Sequence, residues 1–192
     1  FAASGRAANA PKPGSLLFNV RDRGAIGDGA ALDTAALQAA IDTCAAAGGG
    51  TVVFPAGRYL SGTLRLRSRV ALWLQSGAVL LGSTRLQDYP PIVPAFRSYT
   101  DVNYVERSLL YAERVEDVAL FGHGSIDGQG GAAAFQLGGG REHYKDRPFL
   151  IRLIEGRRLS VRDLTLLNSP MWVQHYLACD DLVIDGITVH SL

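Results

Sequence analysis

Short apolar stretches, some of which alternate with polar residues, recur along most of the chain. They lie at residues 51–54, 63–66, 70–74, 78–81, 118–120, 159–161, 164–166, 182–184 and 187–189. Alternation with a period of two is typical of a β-strand that buries one face. Turn pairs such as Arg162-Asp163 and Asp185-Gly186 separate successive stretches and are expected at corners. The pattern predicts an all-β chain of many short strands.

Equivalent inner positions of these strands recur at long intervals. Val161 and Ile184 are 23 residues apart, Leu72 and Leu120 are 48 apart, and Leu120 and Val161 are 41 apart. We interpret 48 as two repeats of 24, and 41 as one repeat plus a loop within residues 128–147. A strand-turn-strand repeat of this length predicts a solenoid whose coils stack about 4.8 Å apart. The chain is expected to form a parallel β-helix.

One amphipathic helix is predicted before the long strands, over residues 33–47. Asp33 or Thr34 is expected to cap it, because a short side-chain oxygen accepts hydrogen bonds from free amides of the first turn. Three glycines at 48–50 end it. Its apolar stripe consists of Leu37, Ile41 and Cys44. We expect this stripe to lie across the open end of the first coil as a cap.

The two ends of the chain differ from its middle. Residues 1–15 are rich in Ala, Gly, Pro and Ser and predict a flexible lead-in before the domain at residues 16–192. Leu192 follows a predicted strand directly, with no capping element in between. We therefore expect residues 16–192 to be the N-terminal part of a longer solenoid.

Composition narrows the class of protein. Hydrophobic residues make up 47% and charged residues 19% of the 192 residues, which excludes intrinsic disorder. A net charge of +1 provides no global field for nucleic acid or an anionic membrane, so neither is an expected partner. Cys44 and Cys179 are too few for a disulfide framework or a metal site and are expected to be buried free thiols. No metal or cofactor is expected.

Longer motifs resemble a known enzyme family. Residues 32–42 (LDTAALQAAID) and 48–57 (GGGTVVFPAG) resemble the opening of pectin-degrading β-helix enzymes, an opening that other β-helix proteins share. Residues 122–130 (GHGSIDGQG) and 168–172 (NSPMW), with Arg147-Pro148 between them, are more specific. Together they resemble glycoside hydrolase family 28, the polygalacturonases, over nearly the whole chain from about Phe18.

This resemblance implies a right-handed parallel β-helix with one N-terminal capping helix. It also implies a secreted or periplasmic hydrolase that cleaves α-1,4 bonds between galacturonate units of pectin with inversion. That reaction needs two carboxyl groups about 6.5–9.5 Å apart. The family's Asn-x-Asp and Asp-Asp motifs, with the Gly-His-Gly and Arg-x-Lys motifs that follow them, do not occur here in that order. No catalytic residue is therefore predicted within the chain, the acid pair is expected beyond Leu192, and residues 1–192 alone are expected to be inactive.

Several residues imitate catalytic motifs. His123 lies in a Gly-His-Gly sequence, but this sequence precedes a predicted strand and matches an early coil turn of the family. Asp180-Asp181 likewise precedes a strand, and we expect a solvated corner there. Asp127 and Gln129 are interpreted as turn residues that hydrogen-bond to backbone.

The candidate substrate-binding residues are Trp172, Gln174, His175 and Arg147. The first three lie in an expected corner at residues 168–176, where an aromatic face beside polar groups suits carbohydrate binding. Arg147 ends a loop that also carries Arg141, His143, Tyr144 and Lys145, and basic groups there suit the carboxylates of an acidic polysaccharide. The alternatives are an inward-packed Trp172, a His175 bonded to backbone, and a merely solvated loop.

Two other functions remain open. A non-catalytic carbohydrate-binding or structural β-helix, such as a tailspike or adhesin, suits the same aromatic and basic residues. A pectate lyase requires Ca²⁺ held by several carboxylates and an Arg base, and no suitable acidic cluster stands out in the sequence.

Overall fold

The computed structural model describes residues 16–96, 106–136 and 141–191. The predicted lead-in at residues 1–15 and the terminal Leu192 lie outside the described residues, as does part of the loop at residues 128–147. The elements in chain order are β1 (Leu17–Asn19), β2 (Asp28–Leu32), α1 (Thr34–Ala46), β3 (Gly50–Phe54), β4 (Gly57–Ser61), β5 (Leu64–Arg65), β6 (Val70–Leu74), β7 (Ala78–Gly82), β8 (Ser108–Glu113), β9 (Glu116–Gly122), β10 (Ser125–Asp127), β11 (Phe149–Ile154), β12 (Arg157–Arg162), β13 (Thr165–Leu167), β14 (Gln174–Leu177), β15 (Asp180–Asp185) and β16 (Thr188–His190).

These strands form three parallel sheets. Sheet A has the order β1-β3-β6-β9-β12-β15, sheet B the order β2-β4-β7-β10-β13-β16, and sheet C the order β5-β8-β11-β14. Each full coil contributes one strand to sheet C, then one to sheet A and one to sheet B. The prediction of a parallel β-helix is confirmed.

The register confirms two of the three predicted spacings. Val161 pairs with Ile184, and Leu120 pairs with Val161 across the extra loop before β11. The interpretation of 48 residues as two repeats is wrong, because Leu72 pairs directly with Leu120. The extra residues lie between the end of β7 at Gly82 and the start of β8 at Ser108. Spacing alone does not distinguish an added coil from a loop of equal length.

The core is a stack of apolar side chains inside the coils. Leu72, Leu120 and Val161 are each at most 1% exposed, one above the other in sheet A. Leu80, Ile126 and Leu166 form a similar buried row in sheet B. A fully buried side chain of this kind contributes about 1.5–3 kcal/mol. The alternating stretches of the sequence are the strands that supply these rows.

Helix α1 covers the start of the solenoid, as predicted. Leu37, Ile41 and Cys44 are completely buried against the core. Gln38 replaces a neighbouring strand at the edge of sheet C: its amide nitrogen donates to the Arg65 carbonyl at 3.0 Å, and its oxygen accepts from the Arg65 amide at 2.8 Å. Hydrogen bonds to β5 therefore protect an edge that would otherwise be open.

Asp33 binds backbone amides of the loop before β2 and does not cap helix α1 with its side chain. It occupies the position before the first turn of α1, but its side chain makes no capping hydrogen bond. Its carboxylate instead accepts from the amides of Ile26 at 2.7 Å and Gly27 at 2.9 Å, and the residue is 3% exposed. Asp33 thus fixes the loop before β2, and the prediction that it caps the helix is wrong.

The last coil is more open than the coils before it. Ile184 and Val189 are 43% and 45% exposed, whereas Val161 and Leu166, with which they pair in the preceding coil, are buried. Cys44 is a buried free thiol, and burial raises its pKa to about 11. Cys179 is also free but is only partly buried.

Within the described residues, no helix has the length and apolar character needed to cross a membrane.

Candidate functional site

Four side-chain positions line up across the outer face of sheet C. Arg65 of β5 pairs with Tyr111 of β8, Tyr111 pairs with Arg152 of β11, and Arg152 pairs with His175 of β14. Because the coils stack in register, side chains at these positions lie beside one another along the solenoid axis. The row therefore carries two arginines, one tyrosine and one histidine.

Arg152 is the buried cation of this row. It is 3% exposed, and its guanidinium carbon lies 5.0 Å from the centre of the Phe149 ring. Burial lowers the pKa of Arg152, although arginine stays protonated in proteins. The neighbouring Tyr111 hydroxyl donates to Glu113 at 3.0 Å, and burial raises the Tyr111 pKa. The contact with the Phe149 ring thus holds the positive charge of Arg152 in one position.

His175 lies at the β14 end of the row and is partly buried. Its ring centre is 5.1 Å from that of Phe149, and its Nδ1 atom is buried with no hydrogen-bond partner within the described residues. Burial lowers the pKa of His175, and the positive charge of Arg152 lowers it further. In the part of the chain that the structure describes, the alternative of a His175 bonded to backbone is therefore not observed at Nδ1. A buried polar atom of this kind is able to bond to a ligand.

Trp172 projects from the corner immediately before β14. Its side chain is 56% exposed, so the alternative of an inward-packed Trp172 is wrong. Its carbonyl oxygen accepts from the Ser169 hydroxyl at 3.0 Å and from the Leu150 amide at 3.1 Å. These two bonds fix the backbone of the corner, and the indole is exposed to solvent just before the start of β14.

Gln174 faces the opposite way from His175. It pairs with the buried Ile151 and lies on the same face of β14 as Tyr176, which packs against the core. The Tyr176 hydroxyl donates to the Gln174 side-chain oxygen at 2.6 Å. The structure therefore does not bring Gln174 together with His175, and residues 174–177 are a strand instead of the expected corner. A substrate-binding role for Gln174 stays a prediction.

Arg147 precedes β11 and lies at the same end of sheet C as Trp172. It is half-buried, and its backbone amide donates to the Tyr144 carbonyl at 3.1 Å. Lys145 in the same segment is exposed. The predicted basic side chains of Arg141 and His143 lie outside what the structure describes. Substrate binding by Arg147, Trp172 and His175 also stays a prediction.

Of the residues that imitate catalytic motifs, His123 lies in a corner, as predicted, whereas Asp180 and Asp181 are the first residues of strand β15. His123 is exposed between β9 and β10, and Asp180 and Asp181 are exposed at the start of β15. The Asp127 carboxylate accepts from the Gln129 amide at 2.9 Å, and the Gln129 side chain donates to the Gly82 carbonyl. Asp127 and Gln129 are therefore turn residues.

Sequence reasoning missed Arg152 and Phe149. Both lie in β11, whose sequence FLIRLI has no alternation because all six residues are buried. A single arginine inside an otherwise apolar run was the available signal, since charged residues are seldom fully buried without a specific contact.

Comparison with known proteins agrees with this architecture. A model of the rhamnogalacturonase A/epimerase, pectate lyase-like family matches residues 17–85. A probable polygalacturonase of Vitis vinifera is 36% identical over 177 residues, which cover 88% of this chain and 35% of that protein. The family 28 exopolygalacturonase structure from Yersinia enterocolitica superposes with a TM-score of 0.79 at 26% identity, over 92% of this chain and 39% of that one.

The chain is polygalacturonase-like.

Its fold is accordingly the right-handed parallel β-helix of these proteins. An exo-poly-α-D-galacturonosidase of Dickeya chrysanthemi is 34% identical over 120 residues, which cover 59% of the polygalacturonase-like chain and 20% of the relative. The chain thus spans about a third of the Vitis protein and a fifth of the Dickeya protein.

Proposed function

We propose that the whole protein hydrolyses α-1,4 linkages between galacturonate units of a pectic polysaccharide, with inversion, and that this chain supplies part of the substrate groove. In this proposal the acid pair lies outside residues 1–192, and this chain alone is expected to be inactive. Support comes from the polygalacturonase-like sequence and from one structural observation: the exposed Trp172 lies just before β14, whose His175 pairs with the buried cation Arg152 of β11.

The chemistry of this end of sheet C suits a uronate. An exposed indole offers an apolar face to a sugar ring. Arg152 and Arg147 supply positive charge for a carboxylate, and the unpaired Nδ1 of His175 supplies a hydrogen-bonding atom. Since His175 is kept neutral more readily than an ordinary histidine, it is able to accept a hydrogen bond from a sugar hydroxyl at neutral pH.

Tryptophan fluorescence tests the binding step, because Trp73 and Trp172 are the two tryptophans of the chain. Trp73 lies in sheet A, where it stacks on Phe121 with ring centres 6.1 Å apart. It therefore belongs to a different sheet from the candidate site on sheet C. Galacturonate oligomers should shift the emission of the Trp73→Phe variant, in which Trp172 alone reports. They should leave the emission of Trp172→Phe unchanged. An unchanged signal from Trp172 at saturating oligomer would contradict the proposal.

The reaction is tested on the complete protein. It should release reducing sugar from polygalacturonate without added Ca²⁺, and proton NMR should show the inverted anomer first. An unsaturated product that requires Ca²⁺ would identify a lyase instead. Binding without any cleavage would favour the carbohydrate-binding or structural β-helix. A secreted or periplasmic location is part of the proposal, because a pectic polymer lies outside the cytoplasm, and cell fractionation tests it.

A further inference from the structure

Arg65 lies at the far end of the sheet C row from His175. Three strand spacings separate the two residues, which places their backbones about 14 Å apart. Tyr111 and Arg152 lie between them and are only 4% and 3% exposed. Ile92 packs on Tyr111 there, with Phe96 against the same cluster. The surface around Arg65 is therefore separated from the surface at Trp172 and His175.

Two open cavities meet at Arg65. Each has a volume of about 400 Å³, and Arg65 and Arg67 line both. The first cavity is polar, and its other lining residues include Ser68, Tyr111, Glu113 and Arg114. The second has Leu32, Ala35 and Pro90 on its apolar part and Thr34, Gln38 and Thr63 on its polar part. The surface thus combines positive charge with an adjacent apolar wall.

The charges around the first cavity leave Arg65 uncompensated. Arg67 pairs with Asp42 at 2.7 Å, and Arg114 pairs with Glu155 at 2.8 Å. The Glu113 carboxylate accepts from the Phe96 amide at 2.9 Å and from the Tyr111 hydroxyl at 3.0 Å. Within the described residues, Arg65 forms no ion pair. An exposed guanidinium without a carboxylate is free to bind an external anion.

Arg65 is also held in place before any ligand arrives. Gln38 binds both the amide and the carbonyl of the Arg65 backbone. The guanidinium carbon lies 5.9 Å from the centre of the buried Tyr111 ring. Such a cation–aromatic contact orients the side chain and leaves its hydrogen-bond donors available. Preorganisation of this kind reduces the entropy that is lost on binding.

We propose that Arg65, with Arg67 beside it, forms a second anion-binding site that takes the carboxylate of a uronate unit in an oligosaccharide. The site is distinct from the one at Trp172 and His175. The identity of the ligand rests on the proposed function, whereas the positive charge and the two cavities do not. A long polymer is able to occupy both sites at once, which raises its apparent affinity over that of a short one.

The test compares Arg65→Gln with a matched control in the full 192-residue chain. Arg58→Gln is the control, because Arg58 is also an exposed arginine but lies on β4 of sheet B. We expect Arg65→Gln to weaken binding of octagalacturonate about tenfold, as for loss of a charge-assisted hydrogen bond. Arg58→Gln should change the affinity less than about twofold. Arg65→Lys should restore part of the affinity, and added salt should reduce the difference between Arg65→Gln and wild type.

The outcomes separate this inference from the proposed function. If wild type binds octagalacturonate and Arg65→Gln binds it equally well, the second site is overturned while the first stands. If wild type does not bind octagalacturonate at all, the proposed function fails as well. Inorganic phosphate and a neutral galactose oligomer are the comparison ligands. Arg65-dependent binding of either one at a lower concentration than octagalacturonate would overturn the assignment of a uronate.

Discussion

His175 of β14 stands directly beside Arg152 of β11, in register on the outer face of sheet C. Arg152 is buried and His175 is partly buried, and protonation of His175 would place two positive charges on adjacent strands. The pKa of His175 is therefore lowered, first by burial and then by Arg152. The folded chain favours a neutral imidazole where the unfolded chain has an ordinary one with a pKa of about 6.5.

This difference predicts that acid weakens the fold through His175. Between the ordinary pKa and the lower pKa of the folded state, the unfolded chain binds a proton that the folded chain does not. The stabilisation is complete above pH of about 6.5 and is lost as the pH falls toward the folded-state pKa. The unfolding temperature of His175→Gln, followed by circular dichroism, should therefore fall less than that of wild type on acidification through this range.

The control for this measurement is His123→Gln, because His123 is exposed in a corner between sheets A and B. It should follow the pH dependence of wild type. An equally steep loss of stability in His175→Gln and wild type would show that the titration of His175 does not contribute to the acid sensitivity of the fold.

Gln38 is predicted to stabilise the edge of sheet C. Gln38→Ala removes both hydrogen bonds to the Arg65 backbone and should lower the free energy of unfolding by about 1–2 kcal/mol. Gln136→Ala is a suitable control, since within the described residues the exposed Gln136 side chain makes one hydrogen bond, to the Gly130 carbonyl. Its effect should stay below about 0.5 kcal/mol. Urea unfolding measures both, and equal midpoints for the two variants would contradict the edge-capping role.

The fold could be predicted from the strands of sheets A and B because these alternate. Val161 and Ile184 reveal the coil length, since each side chain has an equivalent one coil away. Sheet C was missed as a sheet: β8 and β11 are covered on both faces and therefore read as continuous apolar runs. The outer cover of β8 includes Ile92. That contact depends on a long connection whose path no local pattern specifies.

The candidate site could be predicted only in part for the same reason. Trp172 and His175 stand out as aromatic and polar residues near one corner, and the structure leaves Trp172 exposed. Whether a residue of β14 faces inward depends on its register with β11, which pairs Gln174 with Ile151. Arg65 was not a candidate, because the residues that surround it lie in α1 and β8, which are distant from Arg65 in the sequence.

Asp33 is predicted to stabilise the fold, because both oxygens of its buried carboxylate accept hydrogen bonds from backbone amides. Asp33→Asn should lower the free energy of unfolding by about 1–3 kcal/mol, because an amide nitrogen cannot accept from the second backbone N–H. Asp28→Asn is the matched control: one Asp28 oxygen accepts from both Ala30 and Ala31 at 2.8 Å, so the bonds survive. Chemical denaturation should show a clearly larger loss for Asp33→Asn, and equal losses would refute this account.

A substitution at Gly122 tests whether the Gly-His-Gly sequence has a structural role at this corner. The Gly122 φ of 118° is one that side chains rarely adopt, and an added Cβ would collide with the Leu74 carbonyl oxygen of the preceding coil. Gly122→Ala should therefore cost about 2 kcal/mol or more. Gly131→Ala is the control, since a Cβ there meets nothing within 4 Å, and its effect should stay within about 0.5 kcal/mol. Thermal unfolding that leaves Gly122→Ala as stable as Gly131→Ala would remove the backbone reason for glycine and reopen a functional role for the motif.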